Sequence, residues 1–121
     1  MKMTVLIASA FLLLASVASA SAADLPGMYR VEGKNADGSA YAGTAQIVAT
    51  SEVTCRITWK TGSTASEGIC MRNGNSFAAG YVLGDSIGLV VYKIMDDGTL
   101  EGAWTIADDG GVGEEILTPM K

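Results

Sequence analysis

Beyond residue 24 the chain never travels far before a turn signal stops it, and that rhythm limits what it can fold into. Eight short runs of alternating apolar and polar residues cover 28–33, 43–50, 53–60, 66–72, 76–83, 86–95, 99–106 and 113–118. Between them lie glycine-rich turn sequences: Asp37-Gly38, Gly62-Ser63, Asn73-Gly74, Gly84-Asp85, Asp96-Asp97-Gly98 and Asp108-Asp109-Gly110-Gly111. A period of two puts alternate side chains on opposite faces of a strand, and such turns join neighbouring antiparallel strands. No helical period is sustained in this part of the chain. The expected fold is all-β, an antiparallel up-and-down meander of about eight strands closing into a small barrel, with a two-sheet sandwich as the alternative.

Turn chemistry also predicts register. A hairpin turning on Gly62-Ser63 sets Cys55 opposite Cys70, so these two residues are expected to form a cross-strand disulfide. Turns on Asn73-Gly74, Gly84-Asp85 and Asp96-Asp97-Gly98 extend the pairing into rows. One expected row is Cys55, Cys70, Phe77, Tyr92 and Gly102. The next is Ile57, Gly68, Ala79, Val90 and Trp104, followed by Trp59, Ser66, Tyr81, Gly88 and Ile106. All are apolar or small, with large residues beside glycines, as a barrel interior requires. The opposite face carries an unusually apolar set, Ile69, Leu89, Val91 and Ala103, which marks a candidate protein interface.

The first residues explain why a disulfide is plausible. Lys2 precedes an apolar stretch over 5–17, and small residues follow over 18–23. That order is expected of a secretory signal peptide at 1–22, leaving one barrel domain at 23–121. The apolar stretch is shorter than the ~20 residues a spanning helix needs, so the membrane is met only during export. A periplasmic or secreted location is oxidising, and an even pair of cysteines there forms a disulfide. Without the leader, seven Lys and Arg face thirteen Asp and Glu, a net charge of −6. An acidic surface repels phosphate backbones, which argues against nucleic-acid partners.

The catalytic repertoire is narrow. The chain has no histidine, which excludes imidazole-based triads and imidazole metal sites. No phosphate-binding glycine motif is present. Glu114 and Glu115 are adjacent, so on a strand they point to opposite faces. Asp37, Asp85, Asp108, Asp109 and Glu114 are expected near one barrel end, where turn formation accounts for the aspartates. These observations point to no enzyme activity, no metal and no cofactor. Trp59, Tyr81, Tyr92 and Trp104 remain as a candidate aromatic ligand pocket in the barrel mouth.

The Pro26-Gly27-Met28-Tyr29 segment and the run Asp97-Gly98-Thr99-Leu100-Glu101-Gly102-Ala103-Trp104 resemble strands of calycin-type barrels, the avidin-like and lipocalin-like proteins. The chain also resembles small exported bacterial proteins of alphaproteobacterial type and of unknown function. The biotin-binding pattern of avidins is not recognisable here. Small exported barrels with one disulfide include inhibitors of lysozyme and of proteases, although Ser76-Phe77-Ala78-Ala79-Gly80-Tyr81 only loosely echoes the lysozyme-inhibitor signature. The expected function is a non-enzymatic exported binding module for a protein partner or a small apolar ligand. The alternative is an inhibitor of an extracytoplasmic hydrolase.

Overall fold

A computed structural model describes residues 24–120. The expected signal peptide lies outside the described residues. Eight strands follow in order: β1 (Gly27–Lys34), β2 (Ala40–Ala49), β3 (Thr54–Thr61), β4 (Thr64–Asn73), β5 (Ser76–Leu83), β6 (Ser86–Ile94), β7 (Leu100–Ile106) and β8 (Gly113–Pro119). Each pairs antiparallel with its neighbour, and β1 pairs with β8, so the meander closes into a barrel. Closure leaves no sheet edge unpaired. It also rules out the sandwich.

Three hairpins share one turn design. Gly62, Gly74 and Gly84 each occupy the first of two central turn positions, with φ near +60°. Positive φ at that position alone is the type II′ pattern, whose twist matches that of the flanking strands. The β4–β5 turn is therefore Gly74-Asn75, and Asn73 pairs with Ser76. This corrects the expected Asn73-Gly74 turn and moves the register by two residues. Cys70 lies opposite Ala79, not Phe77, and Gly68 lies opposite Tyr81. A shift of two keeps every side chain on its expected face, because that is the period of the strand. The other three predicted hairpin registers match.

The Cys55–Cys70 disulfide joins β3 to β4 across a Cα–Cα distance of 4.9 Å. Inside, Val31, Ile57, Phe77, Leu100 and Leu117 are fully buried. Phe77 stacks on Tyr92 at 5.5 Å between ring centroids. Leu25 lies just before β1, and its carbonyl accepts the Tyr29 hydroxyl at 2.6 Å, packing the lead-in segment against the core.

Glycines decide where the interior rings fit. Tyr41, Tyr81, Tyr92 and Trp104 face Gly33, Gly88, Gly102 and Gly113 respectively on the adjacent strand. In each pair the ring occupies the space a β-carbon would take, within 2.6 Å of its position. Laying a ring over a glycine restores the packing the glycine lacks and lets the sheet curl tightly. Gly102→Ala would put a methyl 2.4 Å from the Tyr92 ring. Overpacking of this kind is expected to cost about 1–3 kcal/mol. A urea midpoint unchanged from the parent protein would refute this account of the ring-over-glycine pairs.

Candidate functional site

The turns joining β1–β2, β3–β4, β5–β6 and β7–β8 gather at one end of the barrel, because alternate turns of a meander share an end. That end is open. A cavity of about 240 Å³ enters it, lined by Trp59, Tyr81, Trp104, Tyr41, Leu83, Val90 and Ile106 with several polar groups, Glu115 among them. Trp59 and Tyr81 pack with ring centroids 5.2 Å apart, and Tyr41 meets Trp104 edge-on at 6.2 Å.

Of the four residues expected to line a pocket, Trp59, Tyr81 and Trp104 do so. Tyr92 does not line the cavity. Its ring lies over Gly102 and is only 1% exposed, so it belongs to the core beneath the cavity. The two-residue register shift does not explain this; Tyr92 was on the expected face, but deeper along its strand.

Glu115 is the residue that sequence reasoning missed. It is only 7% exposed, and both of its carboxylate oxygens accept hydrogen bonds. Oε1 accepts the Tyr41 hydroxyl at 2.7 Å. Oε2 accepts the Trp59 indole N–H at 3.0 Å and the Tyr92 hydroxyl. The Trp104 indole N–H donates in turn to the Tyr41 oxygen at 2.8 Å. Burying a carboxylate is tolerable only when hydrogen bonds replace its lost water.

The backbone register explains how the donors reach it. Glu115 pairs with Gly33 on one side and Gly102 on the other. Gly33 pairs onward with Tyr41, and Gly102 with Tyr92. The row across five strands is therefore Tyr41, Gly33, Glu115, Gly102, Tyr92. Each tyrosine leans over an empty glycine position toward the carboxylate between them. The row crosses the β1–β8 seam, so the site exists only in the closed barrel.

Burial raises all four tyrosines of the chain. Desolvation is the main cause for Tyr29, Tyr41, Tyr81 and Tyr92, and the Glu115 charge adds to it for the last three. Tyr81 is pushed up to about 12. An unfolded tyrosine ionises near 10, so above that pH the unfolded chain loses protons first. The stability these phenols contribute is full below about pH 10 and is lost as pH rises through their folded values. Absorbance of tyrosinate should therefore lag that of free tyrosine and rise together with unfolding. A folded protein with ordinary phenol titration would contradict this.

The other expected sites are placed as follows. Asp37, Asp85, Asp108 and Asp109 lie exposed on the turns around the open end. Asp37 accepts the backbone N–H and hydroxyl of Ser39 at 2.9 and 2.6 Å, and these bonds lower its pKa. Asp97 does the same for Thr99 in the β6–β7 turn. Asp-Gly-Ser at 37–39 and Asp-Gly-Thr at 97–99 thus build the same turn twice. No group of acidic or cysteine side chains able to hold a metal occurs among the described residues.

On the outer wall, Ile69, Leu89 and Val91 are 69, 63 and 55% exposed. The register puts Ile69, Gly80 and Leu89 in one row and Met71, Ala78, Val91 and Ala103 in the next. A turn on Asn73-Gly74 would have paired Ile69 with Ala78, in the latter row; the turn on Gly74-Asn75 pairs it with Gly80. The small residues between larger ones leave a groove of about 880 Å³. This groove is larger than the mouth cavity, but its lining surface is mostly apolar. The hydrogen-bonding side chains converge in the mouth.

No protein-family model matches the sequence, and neither does any curated protein. Solved structures do match in shape. A redesigned β-barrel superposes with a TM-score of 0.75 at 16% identity, covering 86% of this chain and 98% of that one. The redesigned barrel mFAP1, bound to DFHBI, gives 0.73 at 19% identity, covering 83% and 99%. The chain has the fold of the designed fluorescence-activating β-barrels. A further de novo fluorescence-activating barrel gives 0.68 at 15% identity, covering 83% and 98%. At such identities the likeness concerns the path of the backbone and carries no site residue across.

Proposed function

We propose that the protein is an exported, non-enzymatic binding module that holds a small planar ligand in the barrel mouth. One observation carries the reading: an open-ended cavity walled by Trp59, Tyr81 and Trp104, with polar groups converging at Glu115. Aromatic walls set against fixed polar groups in one concave cavity are a usual construction of a small-molecule site. Support also comes from mFAP1, a barrel of the same fold that binds DFHBI. The leader-like first residues and the disulfide support export.

The test is a screen of planar aromatic compounds, DFHBI among them, read by tryptophan fluorescence and thermal shift. A ligand at a hundred times its Kd stabilises by about 2.7 kcal/mol. Binding should fall on Trp104→Ala. A screen in which no compound moves either readout would sink the proposal.

The two exposed outer rows favour a second reading, a protein partner seated on Ile69, Leu89, Val91 and Ala103. Leu89→Lys should then leave the fold intact and abolish any association seen by sedimentation. Unchanged association would exclude this face.

A further inference from the structure

The floor of the mouth has a charge that its walls do not balance. Glu115 lines the cavity, and among the described residues no Lys or Arg does. Its three hydrogen-bond donors, Tyr41, Trp59 and Tyr92, are all neutral. A carboxylate has about four acceptor sites. Two are taken on Oε2 and one on Oε1, so Oε1 keeps a free lone pair in a residue that lines the cavity. The aromatic walls supply the complementary element. Trp and Tyr faces carry negative electrostatic potential and attract cations, most strongly where water is excluded.

We propose that the mouth selects an organic cation, a flat or compact aromatic group bearing an N–H-donating positive end. The positive group would donate to Glu115 Oε1, and its apolar body would lie against Trp59, Tyr81 and Trp104. The inference rests on the reading of the mouth as a ligand site and assigns the charge of its occupant. An anion is excluded by the same geometry, since it would meet Glu115 with no cation between. The four exposed aspartates on the surrounding turns, Asp37, Asp85, Asp108 and Asp109, add a longer-range attraction that salt screens.

The test uses three probes of one shape and different charge: benzamidinium, benzamide and benzoate. Binding to the purified protein is measured by titration calorimetry and tryptophan fluorescence. Benzamidinium should bind about tenfold or more tighter than benzamide, and benzoate should bind weakest. Glu115→Gln should bring benzamidinium and benzamide to similar affinity. Should that variant not fold, Tyr41→Phe serves instead. It frees a second lone pair on Oε1 and should widen the preference for the cation. Equal affinity of benzamidinium and benzamide for the parent protein overturns the charge assignment while leaving the ligand site standing. Absence of binding by all three overturns this inference; if the planar-compound screen is also empty, the ligand site falls with it.

Discussion

Glu115→Ala should destabilise the barrel by about 3 kcal/mol, out of proportion to the loss of one surface charge. The reason is the donors left behind. Removing the carboxylate orphans Tyr41, Trp59 and Tyr92 together. An unsatisfied buried donor costs about 1–3 kcal/mol. Water entering through the mouth can reach Tyr41 and Trp59, which lines the cavity, and lowers their share. Tyr92 is only 1% exposed and cannot be rehydrated in that way. Urea denaturation read by tryptophan fluorescence measures the loss. Tyr92→Phe in the parent background should cost less, about 1 kcal/mol, whereas once Glu115 is alanine it should restore part of the lost stability by removing the orphaned hydroxyl. A loss below 1 kcal/mol for Glu115→Ala would mean that the carboxylate does not organise the mouth.

The second large effect concerns the disulfide. Replacing Cys55 and Cys70 together with serine should lower stability by about 3 kcal/mol, because the bond closes a short loop in the unfolded chain. For a domain of this size that corresponds to a fall in Tm of roughly 12–24 °C. The bond spans 15 residues of sequence, and both cysteines are buried, at 2 and 5% exposure. Reductant should therefore reach it only when the barrel opens. Dithiothreitol added to native protein should leave the disulfide intact, whereas the same reductant in urea should release two thiols per chain. Rapid reduction of the folded protein, or a Tm drop of only a few degrees, would show that the staple is peripheral to stability.

The two effects should separate by pH. The Glu115 network depends on its tyrosines staying protonated, and they do so until pH exceeds 10. The disulfide contributes to stability through chain entropy, which has no such dependence. Raising the pH above 10 should thus shrink the difference between parent and Glu115→Ala. The penalty for losing the disulfide should stay unchanged.

Much of this architecture was legible in the residues. Turn glycines at 62, 84 and 98 set three hairpin registers, and Cys55 met Cys70 as turn geometry required. The β4–β5 error had a local cause. Asn73-Gly74 and Gly74-Asn75 are both workable two-residue turns, and the choice depends on which central residue takes positive φ. The structure gives that position to Gly74 as the first turn residue. The outer rows moved accordingly, but no side chain changed face.

Glu115 was hidden for a different reason. On β8 one face carries Gly113, Glu115 and Leu117, and the other carries Glu114, Ile116 and Thr118. Each set has one large aliphatic residue and one glutamate, so alternation alone could not tell inside from outside. Ile116 is 43% exposed and Glu115 is buried, the reverse of what hydrophobicity alone would suggest.

What the sequence by itself determined is therefore what short range governs: eight strands, the faces of β3 to β7, three registers and the cysteine pair. These follow from the two-residue period and from backbone angles that only certain turn residues take. Only the tertiary structure decided the register of the closing strand and the carboxylate it carries into the mouth. β8 is placed by pairing with β1 and β7, one of them at the far end of the chain. That pairing carries Glu115 between Gly33 and Gly102, where two tyrosines from other strands can reach it. A long-range register of this kind leaves no local signature, because its energy comes from donors that meet the carboxylate only when the barrel shuts.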